Sequence, residues 1–135
     1  SHMYYLNKPD QSAERTRLKD LLGAHRVILL CGHSHRYSFL SREAGGGEFV
    51  QLEINSVLNN RSQVPKDLVK GSEHYTWSDE DQPYVHNFEF ARFGGYALIR
   101  IEGRSVSADI YSGANRCLWR TIDLSGPLKE GSKLK

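Results

Sequence analysis

The strongest constraint on this chain is a period-two pattern that fills its second half. Val85–Phe93, Tyr96–Ile101, Val106–Tyr111 and Leu118–Leu124 each alternate at a spacing of two. Successive side chains of a strand point to opposite faces, so such alternation buries one face and wets the other. Glu102-Gly103-Arg104 supplies a tight turn, which predicts a hairpin from Tyr96 to Tyr111. Glu48–Ile54 has the same period, with Phe49 and Gln51 on one face and Val50, Leu52 and Ile54 on the other. Gly45-Gly46-Gly47 reads as the turn ahead of it.

The front of the chain reads differently. Leu18, Leu21 and Leu22 fall at helical spacing among Glu14, Arg15, Arg17, Lys19 and Asp20. Pro9 and Asp10 supply the start of this helix and Gly23 its stop. Val27-Ile28-Leu29-Leu30-Cys31 follows as an unbroken apolar run, which suits a strand covered on both faces. Helix, short link and buried strand form the second half of a βαβ unit. The expected class is therefore α/β in the layered, α+β sense: one helix and a buried strand, then a mainly antiparallel β-sheet. The polar stretch from Asn55 to Pro83 reads as a loop with one helical turn near Pro65–Val69, and Ser125–Lys135 as a fraying polar tail.

Composition narrows the function classes. The 135 residues amount to one domain's length, and Ser1-His2-Met3 reads as a purification-tag remnant. A hydrophobic share of 39% against 25% charged allows a core and argues against a disordered tail. The net charge of +2 arises from 18 basic and 16 acidic residues, too balanced for a nucleic-acid footprint. No apolar run approaches the ~18 residues that span a bilayer. Cys31 and Cys117 are too few and too far apart for a disulfide scaffold or a zinc site.

One local cluster carries chemistry: Cys31-Gly32-His33-Ser34-His35, where the apolar run ends. Two histidines just past the carboxyl end of a strand can turn into the crevice where open α/β sheets bind ligands. Gly32 permits a sharp turn there, and neutral imidazole is a common metal ligand. Two histidines alone do not complete a site, because a catalytic metal takes three or more protein ligands. His74 and His86 are isolated and read as loop or strand-end residues, and His25 as solvent-facing. Gly45-Gly46-Gly47 precedes a strand rather than a helix and so lacks the geometry of a phosphate loop. Phe88, Phe90, Tyr96, Tyr111 and Trp119 read as sheet packing, and Cys31 as a small buried hydrophobe.

The stretch Val27 to Tyr37, centred on Gly32-His33-Ser34-His35, resembles the last metal-binding motif, Gly-His-x-His, of the calcineurin-like metallophosphoesterases, the superfamily of the purple acid phosphatases. The element order from Leu18 to Leu124 is similar to the end of their catalytic domain, which implies the C-terminal part of a β-sandwich. The Gly94-Gly95 segment leading into a final hairpin is similar as well. The resemblance implies hydrolysis of a phosphate ester by two divalent metal ions (Mn, Fe or Zn) lying roughly 3.5–4 Å apart. It implies that His33 binds one metal and His35 the other. It makes His74, Tyr75 and Trp77, in the long polar loop, weak candidates for a substrate pocket. Tyr37 reads as strand packing.

The family's earlier motifs, Asp-x-His, Gly-Asp and Gly-Asn-His, do not occur in this sequence. The expectation is an incomplete catalytic domain over residues 4–124, inactive by itself and prone to self-association through an uncovered strand. A natural short homologue that has lost its site is the other explanation. The alternative function is a non-catalytic β-rich binding or interaction module in which Gly32–His35 is only a turn.

Overall fold

A computed structural model describes residues 12–32, 35–55, 65–74, 82–113 and 116–129. Helix α1 (Ser12–Ala24) leads into strand β1 (Ile28–Cys31), followed by β2 (Tyr37–Ala44), β3 (Gly47–Glu53), β4 (Lys66–Lys70) and β5 (Val85–Arg92). These strands form one five-stranded sheet in the order β1-β3-β2-β5-β4. Strands β6 (Gly95–Glu102), β7 (Ser105–Ser112) and β8 (Leu118–Asp123) form a second, three-stranded sheet in chain order. The protein is thus one described helix and mostly sheet, and the only parallel pair among the described strands is β1 with β3, in register Ile28↔Val50 to Cys31↔Glu53.

The two sheets face each other across one core. Tyr37, Val50, Leu52, Ala91 and Phe93 meet Val106, Ala108, Ile110, Ile122 and Leu124 there. Trp119 caps one part, set edge-on to Tyr37 at 5.1 Å and to Phe93 at 4.8 Å between ring centroids. Each large side chain fully buried this way contributes about 1.5–3 kcal/mol through apolar area removed from water. The expected hairpin is present, with Ile101↔Val106 and Glu102↔Ser105 closing on the turn and Gly103 at φ 59°. The antiparallel strands are divided between the two sheets. Phe93 and Gly94 carry the chain from one sheet to the other. Their carbonyls accept from Asn55 Nδ2 (3.2 Å) and from the Gly113 amide (2.9 Å).

Helix α1 packs on β2 and β3 by backbone rather than by a leucine stripe. Leu21 is 49% exposed and Leu18 and Leu22 are half-buried, whereas Lys19 and Gly23, one turn apart, are buried. The reason lies in the glycines. A Cβ on Gly23 would stand 1.9 Å from the Ala44 carbonyl oxygen, and one on Gly47 would stand 2.2 Å from the Gly23 carbonyl oxygen. Gly23 therefore lies inside the helix, which runs on to Ala24, and serves close approach rather than termination.

Three further expectations are corrected, and one strand was not expected. Strand β1 is not covered on both faces: Leu30 is 42% exposed and its neighbours are half-buried, because β1 lies at the sheet margin with β3 on one side and no described strand on the other. Strand β2 is absent from the period-two reading because its polar residues are buried in cross-strand bonds. Ser38 Oγ donates to Glu53 Oε2 at 3.2 Å, and Ser41 Oγ donates to Glu48 Oε1 at 3.1 Å. The segment near Pro65–Val69 is a strand rather than a helical turn, since β5 offers it an edge with Val69 opposite Phe90. The tail begins with a packed 3-10 turn, Gly126–Leu128. Pro127 is buried, and Ser125 Oγ accepts from the Val106 amide at 2.7 Å.

Candidate functional site

The parallel pair brings two carboxyl ends side by side. The Cys31 carbonyl accepts from the Ile54 amide at 2.8 Å, so the end of β1 lies beside Ile54. His35 sits in that turn, exposed, with φ at 55°. A left-handed backbone at a non-glycine residue is uncommon and marks a tightly determined turn. His33 and Ser34 lie outside the described residues.

The far end of the turn is anchored below the surface. Arg36 Nε stands 3.5 Å from Glu53 Oε2, and Glu53 is buried. The Arg36 guanidinium also lies over the Phe90 ring at 5.4 Å. Next to it Gln51 Nε2 donates to Cys31 Sγ at 3.4 Å, which makes Cys31 a half-buried acceptor as well as a packing group. A buried carboxylate of this kind persists only when charged or hydroxyl donors surround it. Glu53 has both, and so ties β3 to the start of β2.

His35 is the only one of the two expected metal ligands whose position is described. Among the described residues no group of three His, Cys, Asp or Glu side chains is arranged to hold a metal ion. With His33 added, the chain offers two imidazoles to a pair of ions that together need several more ligands. These residues alone do not fit a dinuclear centre. Of the three pocket candidates only His74 is among the described residues. His74 sits in a 3-10 turn, half exposed, with Nε2 3.7 Å from Glu73 Oε1, and Tyr75 and Trp77 lie outside the described residues.

Two polar constellations escape the sequence reading. The first crosses the sandwich. Tyr37 Oη donates to Glu89 Oε1, and Arg120 Nη1 approaches both Glu89 oxygens at 3.0 Å. Burial raises the Tyr37 phenol well above its ordinary pKa, and the neighbouring Glu89 carboxylate raises it further. In the second, His86 stands between two carboxylates, with Nε2 3.4 Å from Glu43 and Nδ1 3.6 Å from Glu48. The signal for the first was present in the sequence. Glu89 and Arg120 occupy positions that share a face with Ala91 and Ile122, so alternation directs both inward. Nothing in the sequence brings His86 to Glu43 and Glu48, which meet only through the register of β2, β3 and β5.

At the start of the tail, Lys129 Nζ lies 2.8 Å from Asp123 and the Ser125 amide donates to the same carboxylate at 2.9 Å. These contacts hold the Asp123 pKa down at about 2. No helix among the described residues is long and apolar enough to cross a membrane. Comparison with protein families, with curated proteins and with solved structures yields no match.

Proposed function

We propose that this chain is the rear part of a metal-dependent phosphoesterase unit, with His33 and His35 as ligands to a pair of divalent ions whose remaining ligands come from outside this sequence. One observation carries the reading. The Gly-His-x-His stretch follows a parallel strand at its carboxyl end, and that strand has no described strand on its outer edge, where the reading places further parallel strands. In open α/β sheets that is where ligand-binding side chains gather. The anchoring of Arg36 by Glu53 fits the same reading, since ligand-bearing turns need rigid support.

The metal ions would supply Lewis acidity and a bound hydroxide; the chain's own part is to hold two imidazoles at a fixed spacing. On this reading the 135-residue chain turns over no phosphate ester by itself. A polypeptide extended by the residues encoded ahead of Tyr4 binds two metals per chain. It hydrolyses a chromogenic phosphate ester with manganese and loses both properties on His35→Ala. Turnover by the 135-residue chain well above its His33→Ala, His35→Ala double variant overturns the proposal, as does an upstream sequence without Asp-x-His and Gly-Asn-His.

A second reading, a non-catalytic interaction module, is favoured by the outer face of the three-stranded sheet. Tyr96 and Tyr111 stack there at 5.0 Å beside Leu98, which is half exposed. The metal content of the extended polypeptide separates the two readings.

A further inference from the structure

The Tyr37–Glu89–Arg120 constellation borders a cleft of about 440 Å³ that the phosphoesterase reading does not use. Strand β8 meets β5 through the Arg120–Glu89 pair, and the recess beside that pair reaches Lys70 of β4. Lys70 lies directly across from Glu89 in the β4–β5 register and therefore shares its face. Lys70, Asn87, Glu89 and Arg120 line the recess with the apolar side chains of Phe39 and Ile122.

Arg120 is the informative residue. Its Nη1 alone makes both contacts with Glu89, and among the described residues Nε and Nη2 have no partner. An arginine paired for stability would present two nitrogens to two oxygens in a parallel fork. Here the guanidinium is held from one side by a carboxylate that is itself 8% exposed and bonded to a buried phenol. Its other edge keeps its N–H donors for the cleft. The ring of Trp119 lies 5.4 Å from the guanidinium carbon and limits its movement.

Charge around the recess favours an anion. Two cations, Lys70 and Arg120, stand against one carboxylate, Glu89. The other acidic group on the lining, Asp123, is already engaged by Lys129 at 2.8 Å. His86, at the rim, is engaged by Glu43 and Glu48.

We propose that this cleft binds a small organic anion, whose carboxylate or phosphoryl oxygens take the open edge of Arg120 and Lys70 while its apolar body lies on Phe39 and Ile122. The proposal is independent of the phosphoesterase reading, because it uses neither His33 nor His35.

The test uses the 135-residue chain and amide-resonance mapping with phenyl phosphate, benzoate, inorganic phosphate and phenol. Phenyl phosphate or benzoate at millimolar concentration shifts resonances concentrated at residues 70–71, 86–89 and 120–122. Whichever of the two binds more tightly assigns the phosphoryl or the carboxylate source. Inorganic phosphate binds more weakly, lacking the apolar body. Arg120→Lys weakens binding about tenfold, since a charge-assisted fork is lost. Lys70→Gln, at an exposed position that the fold does not need, weakens it about threefold. The proposal is overturned by absence of cleft shifts with both anions, by equal binding of phenol, or by Lys70→Gln binding as tightly as the parent chain.

Discussion

Tyr37 shows how much one side chain can be asked to do at this scale. Its ring is fully buried between Phe93 and Trp119, and its hydroxyl is spent on Glu89. Removing that hydroxyl leaves a buried carboxylate one donor short while keeping the ring. Tyr37→Phe is expected to destabilise the fold by about 1–3 kcal/mol, read from urea denaturation. The raised phenol pKa gives a second readout. A group whose folded pKa exceeds its unfolded value contributes stability that is fully present below the unfolded pKa. For Tyr37 that ordinary value is 10.0, so its contribution declines as pH rises beyond it. One of the seven tyrosines should therefore show no phenolate absorbance until the protein unfolds in alkali. Smooth titration of all seven in the folded state would contradict the burial of this network.

Among the elements, the contact of α1 with the β2–β3 hairpin sets the geometry. Gly23→Ala should raise intrinsic helix propensity by about 1 kcal/mol. It should nevertheless lower the melting temperature, because the added methyl meets the Ala44 carbonyl at 1.9 Å and backbone does not yield there. A rise in melting temperature would show that helix and hairpin are not in backbone contact.

The same element explains what could be read in advance and what could not. Strands β5 to β8 were legible because each has apolar residues on one face, and Gly103 marks the turn between β6 and β7. Strand β2 was not, because Ser38, Ser41 and Arg42 are buried by polar partners that only the register supplies. The leucines of α1 misled for a related reason: periodicity measures which face is apolar, whereas this helix docks on the face that is small. At the site, the Gly32–His35 turn announced itself by residue type and spacing. Glu89 and Arg120 share the inward face with Ala91 and Ile122, but nothing in the sequence names the partner that each charge meets across the sandwich.

On the scale of the whole molecule, β1 is the exposed liability. It is a four-residue apolar strand, Ile-Leu-Leu-Cys, with no described strand on its far edge and with no charged or proline residue of its own to deter pairing. Self-association through this edge is expected to grow with concentration in light scattering. Leu30→Lys should reduce it without loss of thermal stability, because Leu30 is already 42% exposed. A chain that stays monomeric at high concentration would show that the edge is shielded.

The crossing at Phe93-Gly94 has a consequence for the order of assembly. Every strand of the five-stranded sheet precedes it in the chain, and every strand of the three-stranded sheet follows it. On a ribosome the first sheet can pair completely while its inner face, with Tyr37, Val50 and Leu52, still waits for a lid. At about 5–20 residues per second that wait lasts seconds, long compared with hairpin formation. The final hairpin and β8 then arrive as a prefabricated cover. The interval before they close is when a nascent chain most needs a chaperone.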